Sequence, residues 1–283
     1  MTYISNLSQF IEWTLNLNES EGVPSFPLHN IFFRGHASKE WHLQAGIFRK
    51  ENAIVNEHDI FRVASNRCWS EVSSFSNLEK LIYFQHFGLL TRLLDVTSNP
   101  LVALYFACQE YIENGEYKDG QVRYGSCDRF DIKTVNIIAD VIANYDLEQI
   151  FPNEEWLQKL ADTYNLKRGD VMGEILSAPY YIEAPYNSSR IAAQRGNLLM
   201  TPLLKKNNSD YMLIKEYDFD NTNKDNSMFG KRSVIIKHEH KKQILNELRK
   251  FGIDEYYIFP DTSHLMAAIN KEMISCNQYI LNF

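Results

Sequence analysis

Residues 83–100 read Tyr83-Phe-Gln-His-Phe-Gly-Leu-Leu-Thr-Arg-Leu-Leu-Asp-Val-Thr-Ser-Asn-Pro100 and decide the fold class. Ser98-Asn99-Pro100 predicts the start of a helix, because a polar side chain can cap the first turn and proline at the first helical position loses no hydrogen bond. The following segment, which ends near Gly115, is apolar almost all round and is predicted to be a buried helix. Residues 89–95 before it are predicted to be a strand or an extended turn. The stretch therefore predicts a β element that leads directly into a core helix.

The same stretch holds polar side chains in an apolar frame, and such groups need defined partners. They are Gln85, His86, Arg92, Asp95, Thr97, Ser98 and Asn99. A structural interpretation pairs Arg92 with Asp95, uses Asp95 or Ser98 as a helix cap and buries His86 in the core. A functional interpretation places an anion at the N-terminus of the helix, where free N–H groups and the helix dipole favour negative charge. The residues alone leave both interpretations open.

Upstream, Phe33-Arg34-Gly35-His36 ends a short apolar strand. The guanidinium of Arg34 is always charged, so it needs a partner in such a setting. That partner is either a buried carboxylate or a phosphate, which the planar guanidinium can bind through two hydrogen bonds. Gly35 would allow a ligand or another segment of backbone to approach closely.

Downstream, residues 187–197 read Asn187-Ser-Ser-Arg-Ile-Ala-Ala-Gln-Arg-Gly-Asn197. Arg190 and Gln194 project to one face if this segment is extended, so Gln194 could position a substrate. The alternative is a plain strand that leads to a turn at Gly196. Glu174 and Glu183 are candidate acid–base groups, although no spacing selects either of them.

The rest of the chain alternates helical and strand patterns and predicts an α+β fold with helical additions around a central small sheet. Helices are predicted at residues 5–17, 57–75, 77–87, 153–164, 169–177, 239–251 and 261–275. Strands are predicted at residues 121–124, 135–138, 211–215, 234–237 and 256–259. No change of composition marks a linker, so the sequence predicts one continuous domain.

Composition excludes several classes of protein. Of the 283 residues, 45% are hydrophobic and 23% charged, which excludes a disordered chain. The net charge of −7 argues against broad nucleic-acid binding. Aromatic residues make up 13% of the chain and either fill the core or line a pocket for a flat ring.

Targeting and metal-site patterns do not occur in the sequence. It has no apolar run of roughly 18 residues that would cross a bilayer and no signal-peptide pattern at the start. The four cysteines are scattered, and we find no metal-ligand spacing, P-loop or dinucleotide-binding glycine motif. We therefore expect a cytoplasmic protein with no metal and no membrane contact.

Taken in order, these motifs resemble the FRG domain, a family named for the tripeptide found here at residues 33–35. Its central motif is similar to Gln85-His-Phe-Gly-x-x-Thr-Arg-Leu-Leu-Asp-x-Thr-x-Asn-Pro-x-x-Ala-Leu-Tyr-Phe-Ala, and its third motif to Arg190-Ile-x-Ala-Gln-x-Gly. The segment His240-Lys-Lys-Gln-Ile-Leu-x-x-Leu is similar to its carboxyl end. The resemblance implies an N-terminal helix and loop at 1–29 and an FRG-like domain at 30–275, with a helical insertion around 139–180. A C-terminal tail follows at 276–283.

The opening arginine strand of this family looks like the strand with which ADP-ribosyltransferases bind NAD. The resemblance therefore implies an ADP-ribosyltransferase-like fold and cleavage of the bond between nicotinamide and ribose, with NAD as the substrate. It implies catalytic roles for Arg34, His86, Arg92, Asp95 and Gln194. It implies cofactor-binding roles for Arg34, Gly35, Thr97, Ser98, Asn99, Tyr105 and Arg190.

Such transferases commonly use a glutamate where this chain has Gln194, so either Glu183 replaces it or the catalysis differs. The acceptor would be a nucleic acid or a protein, and the context would be a toxin or phage-defence effector with a cognate inhibitor. Two other functions remain open: a non-catalytic module that binds a nucleotide-like ligand or a protein partner, and a nuclease.

Overall fold

The computed structural model describes residues 2–17, 30–127, 129, 131–151, 153–184, 188–207, 210–220, 228–262 and 264–269. In these ranges the strands are β1 (Thr2–Ile4), β2 (Asn30–His36), β3 (Leu93–Thr97), β4 (Ile112–Glu113), β5 (Glu116–Tyr117), β6 (Gly120–Cys127), β7 (Tyr180–Ile182), β8 (Gly196–Met200), β9 (Leu204–Asn207), β10 (Asp210–Leu213) and β11 (Phe229–Ile236).

The helices of the same ranges are α1 (Leu7–Leu15), α2 (Glu57–Arg67), α3 (Trp69–Val72), α4 (Asn77–His86), α5 (Pro100–Ala107), α6 (Ile132–Asn144), α7 (Leu147–Ile150), α8 (Glu154–Tyr164), α9 (Arg168–Asp170), α10 (Ser189–Ala193), α11 (His238–Lys250) and α12 (Glu255–Ile258). Two 3₁₀ turns, Gly46–Arg49 and Ile54–Asn56, and a π-helical turn, Val171–Ile175, complete the helical elements, and residues 264–269 are also helical. The fold is therefore mixed α+β, as the sequence predicts.

A seven-stranded sheet organises the chain, in the order β1-β11-β6-β2-β3-β8-β7. β1 and β11 are parallel, and every other neighbouring pair in this sheet is antiparallel. Two small antiparallel pairs, β4 with β5 and β9 with β10, stand apart from it. The sheet brings the first described strand beside β11, so segments far apart in sequence share one framework.

Four predicted elements differ from the structure; three follow here, and the fourth, at residues 188–195, is described with the cleft. Residues 135–138 and 256–259 were predicted as strands, but they lie in or adjoin helices α6 and α12. The caps explain both errors: Asp131 accepts hydrogen bonds from the N–H groups of Lys133 and Thr134, and Asp254 accepts one from Tyr257. The helix predicted from Pro100 to residue 113 ends at Ala107, because the β4–β5 hairpin follows it.

Two large apolar clusters pack against different parts of the sheet. One joins α1, α5 and α11 to β2, β6 and β11, and includes Phe10, Phe33 and Val234. The other joins α2, α4, α6 and α8 to β3, β7 and β8, and includes Leu93 and Met200. A third, smaller cluster lies across strands of both groups and is centred on the buried ring of Phe32.

Strands β2 and β3 are paired only at Phe33 and Thr97 among the described residues. If this pairing continued, the antiparallel register would place Gly35 opposite Asp95. Instead the strands diverge beyond this pair. Helix α5 packs directly on the backbone of β2, since a Cβ at Gly35 would overlap the carbonyl oxygen of Ala103. The divergence opens a cleft in the middle of the sheet.

Candidate ligand-binding cleft

The cleft has a volume of about 450 Å³ and lies where β2 and β3 diverge. This volume falls within the usual range for small-molecule sites. Its walls come from β2, β3, β8, the end of α4, one side of α5 and helix α10. The structure brings together seven of the residues selected from the sequence: Arg34, Gly35, His86, Asp95, Thr97, Arg190 and Gln194.

Arg34 crosses the gap between the diverging strands. Its Nε donates a hydrogen bond to Nε2 of His36 at 2.9 Å, and its Nη1 donates one to the backbone carbonyl of Asp95. The Arg34 side chain therefore donates to the Asp95 carbonyl, which a continued β ladder would have paired with Gly35. Burial lowers the pKa of Arg34 to about 10, although the nearby charge of Asp95 opposes that shift. Arg34 remains a cation at neutral pH.

His36 is a buried neutral imidazole. Only 2% of the residue is exposed, and burial, together with the charges of Arg34, Arg49 and Arg123, lowers its pKa to about 2. The ring of Trp41 meets it edge-on, with centroids 6.0 Å apart. Because Nε2 accepts the bond from Arg34 in the neutral ring, the proton resides on Nδ1, a buried atom that has no hydrogen-bond partner among the described residues.

Asp95 is the only carboxylate among the described residues that line the cleft. Its side chain is exposed within the opening, on the strand that faces Arg34. The charge of Asp95 acts on Arg34, on Arg49 and on His86, and it tends to raise the pKa of each. The carboxylate therefore has cationic or titratable groups near it from three different elements.

Arg190 and His86 form the other charged part of the cleft. The guanidinium of Arg190 stacks on the ring of Phe259 at 4.9 Å, and it makes no hydrogen bond or ion pair with any described residue. His86 is the last residue of α4, and burial and the charge of Arg190 lower its pKa. A stacked arginine with unused N–H groups in a cleft is suited to binding an anion.

Gln194 and Thr97 join α10 to the sheet. Thr97 Oγ1 donates to the carbonyl of Gln194 at 2.6 Å, and Gln194 Nε2 donates to the carbonyl of Ile258 at 3.1 Å. Residues 189–193 form helix α10, which Ser188 caps, and Gln194 is its C-cap. The predicted strand that leads to a turn at Gly196 is therefore wrong, since Gly196 begins β8. Arg190 and Gln194 still share a face, because positions four apart are neighbours on a helix.

Arg92 lies outside the cleft. It is 3% exposed, and its Nε donates to both carboxylate oxygens of Glu57 at 2.8 and 2.6 Å. Its Nη1 donates to the carbonyl of Pro202 at 3.0 Å. The alternative that paired Arg92 with Asp95 is therefore wrong, and the cleft does not contain Arg92.

Ser98, Asn99 and Tyr105 do not line the cleft either. Asn99 Oδ1 accepts the N–H of Leu101 at 3.0 Å and caps α5, while the Ser98 N–H donates to the carbonyl of Arg195 at 3.1 Å. Tyr105 is 6% exposed, and burial raises its pKa to about 12. These residues therefore start and anchor helix α5.

The two glutamates considered from the sequence also lie outside the cleft. Both Glu174, in the π-helical turn, and Glu183, just after β7, are exposed. Neither is among the residues that line the cleft. Neither carboxylate is therefore placed to contact a ligand there.

The sequence did not single out Trp41, Arg49 or Asn197, which line the cleft. Trp41 is 42% exposed, and Arg49 donates from Nε and Nη2 to the carbonyl of Gln44 at 3.0 and 2.6 Å. Asn197 is buried, and its Oδ1 has no hydrogen-bond partner. Asn197 is the last residue of the quoted segment 187–197, in which no pattern distinguishes it, whereas Trp41 and Arg49 lie outside any recognisable pattern.

A buried lysine holds one end of the cleft. Lys241 of α11 is 5% exposed, and its Nζ donates to the carbonyls of Ala37 and Gln109 at 2.6 and 2.9 Å. Ala37 follows β2 and Gln109 follows α5, and both residues line the cleft. Lys241 therefore ties two cleft walls to each other.

The described ranges contain no cluster of three or more His, Cys, Asp or Glu residues that could hold a metal ion. No helix in them is both long enough and apolar enough to cross a bilayer.

The geometry defines a mixed α+β protein with a cationic cleft at a divergence in its central sheet. Residues 29–116 match the family model of the FRG domain, which supports the FRG family for this chain. The matched segment includes Arg34, His86 and Asp95, whereas Arg190 and Gln194 lie beyond it. Comparison with curated proteins and with solved structures gave no match.

Proposed function

We propose that this cleft binds NAD and that the protein is an ADP-ribosyltransferase-like enzyme, with a fold related to that of those transferases. It would cleave the nicotinamide–ribose bond and transfer ADP-ribose to a nucleic acid or a protein. The observation that carries the proposal is the arrangement of Arg34, Arg49 and Arg190 around a cleft whose one described carboxylate is Asp95. A role as a toxin or phage-defence effector would follow from consumption of NAD.

The arginines suit a diphosphate. Arg34 uses Nε and one N–H of Nη1 for protein contacts, which leaves the N–H groups of Nη2 for a ligand. Arg190 has its whole guanidinium available among the described contacts. Guanidinium groups bind phosphate oxygens through paired, charge-assisted hydrogen bonds, so these two residues support a ligand with more than one anionic group.

The aromatic residues of the cleft support a ligand with flat rings. The indole of Trp41 is 42% exposed, and Phe106 of α5 also lines the cleft. Exposed rings in a concave site provide large contact area at low entropic cost. Nicotinamide and adenine are both flat, and either would suit such a surface.

The proposed reaction places positive charge on the ribose. The bond between C1 of the ribose and the nicotinamide nitrogen breaks, and its electron pair goes to that nitrogen, which neutralises the pyridinium. The remaining oxocarbenium-like ribose would be stabilised by the carboxylate of Asp95. The acceptor then attacks C1, and neutral His86 would take the proton that the acceptor loses.

Asp95 would therefore take the role that a glutamate commonly has in related transferases. Gln194 stands in the corresponding motif, and its amide nitrogen already donates to the carbonyl of Ile258. Glu183 is exposed and does not line the cleft. Asp95 thus provides the carboxylate in this proposal.

The test is release of nicotinamide from labelled NAD, with and without nucleic acid or cell lysate. Asp95→Asn is expected to reduce release by about 100-fold or more, because it removes the charge that would stabilise the transition state. Its melting temperature should stay near that of the wild type, since the side chain is exposed. Glu183→Gln is the matched control, because it changes an exposed carboxylate outside the cleft.

No release of nicotinamide by the wild-type protein would rule out the enzyme. If ADP-ribose still binds in that case, the second function applies: a non-catalytic module that binds a nucleotide-like ligand. The absence of a glutamate from the described cleft residues favours that alternative. A nuclease has less support, because the described cleft residues provide one carboxylate rather than a pair.

A further inference from the structure

We propose that His36 is a positioning residue that holds the guanidinium of Arg34 for an anionic ligand and keeps it from pairing with Asp95. The inference deepens the proposed function and rests on it for the identity of the ligand. It assigns a role to a residue next to the Phe-Arg-Gly tripeptide that neither sequence nor family match provides.

Arg34 is held by two uncharged acceptors. These are Nε2 of His36, at 2.9 Å from the Arg34 Nε, and the backbone carbonyl of Asp95. No carboxylate of the described residues makes an ion pair with Arg34, although the Asp95 charge is close enough to act on it. Fixing a guanidinium with neutral acceptors sets its orientation and leaves its full charge available to a ligand.

His36 is suited to this task because it stays an acceptor. A protonated imidazole would donate from both nitrogens and would repel Arg34. The positive charges of Arg34, Arg49 and Arg123 all oppose protonation of the ring and lower its pKa. Arg123 is itself paired with Asp220, and the ring is 2% exposed. The imidazole is therefore both buried and neutral.

Without this acceptor, the Nε–H of Arg34 would lack a partner inside the protein. A buried donor without a partner is costly, so the guanidinium would turn toward the nearest acceptor that carries charge. That acceptor is the carboxylate of Asp95, on the facing strand. A direct pair between the two would occupy both charged groups that the ligand needs.

Two substitutions of similar size separate this role from simple packing. His36→Gln places an amide oxygen near the position of Nε2, and it can still accept from Arg34. His36→Asn reaches only the position of Nδ1, so it cannot. Both variants lose the edge-on contact with Trp41, which makes each the control for the other.

The experiment is calorimetric titration of the full chain with ADP-ribose and, separately, with inorganic pyrophosphate. We expect His36→Gln to bind within about threefold of the wild type and His36→Asn to bind at least about tenfold more weakly. Equal affinities of the two variants would overturn the inference. If the wild type binds pyrophosphate but not ADP-ribose, the NAD proposal fails. The role of His36 is then tested by the pyrophosphate affinities of the two variants. Binding of neither probe overturns both.

If either variant fails to fold, a measurement on the wild-type protein tests the role of His36 instead. In an N–H···N hydrogen bond, nuclear magnetic resonance detects a scalar coupling between the two nitrogens. We expect such a coupling between Arg34 Nε and His36 Nε2, together with a proton on His36 Nδ1. Absence of the coupling, or a proton on Nε2, would contradict the proposed role.

Discussion

The buried neutral state of His36 predicts how the stability of the protein changes in mild acid. The pKa of His36 is about 2 in the folded chain, against an ordinary value of 6.5. Between these values the unfolded chain binds a proton at this site and the folded chain does not, so stability falls as the pH falls. The stabilisation is fully present above the unfolded pKa. From about pH 7 to about pH 5, His36 should lower the free energy of unfolding by about 2 kcal/mol.

The assay is chemical denaturation at several pH values, followed by circular dichroism, on the wild type and on His36→Gln. Carboxylates and the other histidines titrate in both proteins, so the difference between the two curves isolates His36. We expect the wild type to lose about 2 kcal/mol more than the variant between these pH values. Equal losses of stability in the two proteins would show that His36 is protonated normally in the folded chain and would contradict this prediction.

Three substitutions test other parts of the framework. Glu57→Gln should lower the free energy of unfolding by about 3 to 5 kcal/mol, because Arg92 loses its buried charged partner. Nicotinamide release per folded molecule should not change. A loss of release without a loss of stability would contradict the position of Arg92 outside the cleft. Gly35→Ala should lower the free energy of unfolding, measured by denaturant, by about 3 kcal/mol or more, because its Cβ would overlap the Ala103 carbonyl. A variant as stable as the wild type would mean that α5 does not pack on β2 at Gly35. Lys241→Met leaves two backbone carbonyls without a donor, so it should lower the free energy of unfolding by about 2 to 4 kcal/mol. The same samples should bind pyrophosphate more weakly. An unchanged free energy of unfolding would contradict the contact of Lys241 with these carbonyls.

The sequence predicted much of the cleft because its chemistry is concentrated in short motifs. Arg34, His86 and Asp95 are polar residues within or at the end of apolar elements, where such side chains are conspicuous. Arg92 stands in the same motif, and the sequence could not separate it from the others. Its partner is Glu57, 35 residues away in the chain, and local patterning contains no information about that contact.

Other differences have local causes. The run at residues 135–138 is short and apolar, and such a run fits a strand or a buried helix equally well. The capping hydrogen bonds of Asp131 stabilise the helical conformation of this run. Trp41 and Arg49 lie in a segment between β2 and α2 with only short 3₁₀ turns, so no periodic pattern indicated that they face the cleft.

The single pairing of Phe33 with Thr97 has a mechanical consequence for the whole sheet. Strands β1, β11, β6 and β2 form one block and β3, β8 and β7 another, each covered by its own apolar cluster. The side chain of Arg34 crosses the seam at the cleft, beside the shared cluster around Phe32. Helix α10 also joins the two blocks, because Gln194 donates to the carbonyl of Ile258 and Arg190 stacks on Phe259. A ligand that bound Arg34 on one block and Arg190 beside the other would link the two blocks across this seam. Its binding energy would then stabilise the contact between the blocks, so they would unfold together when the ligand is bound.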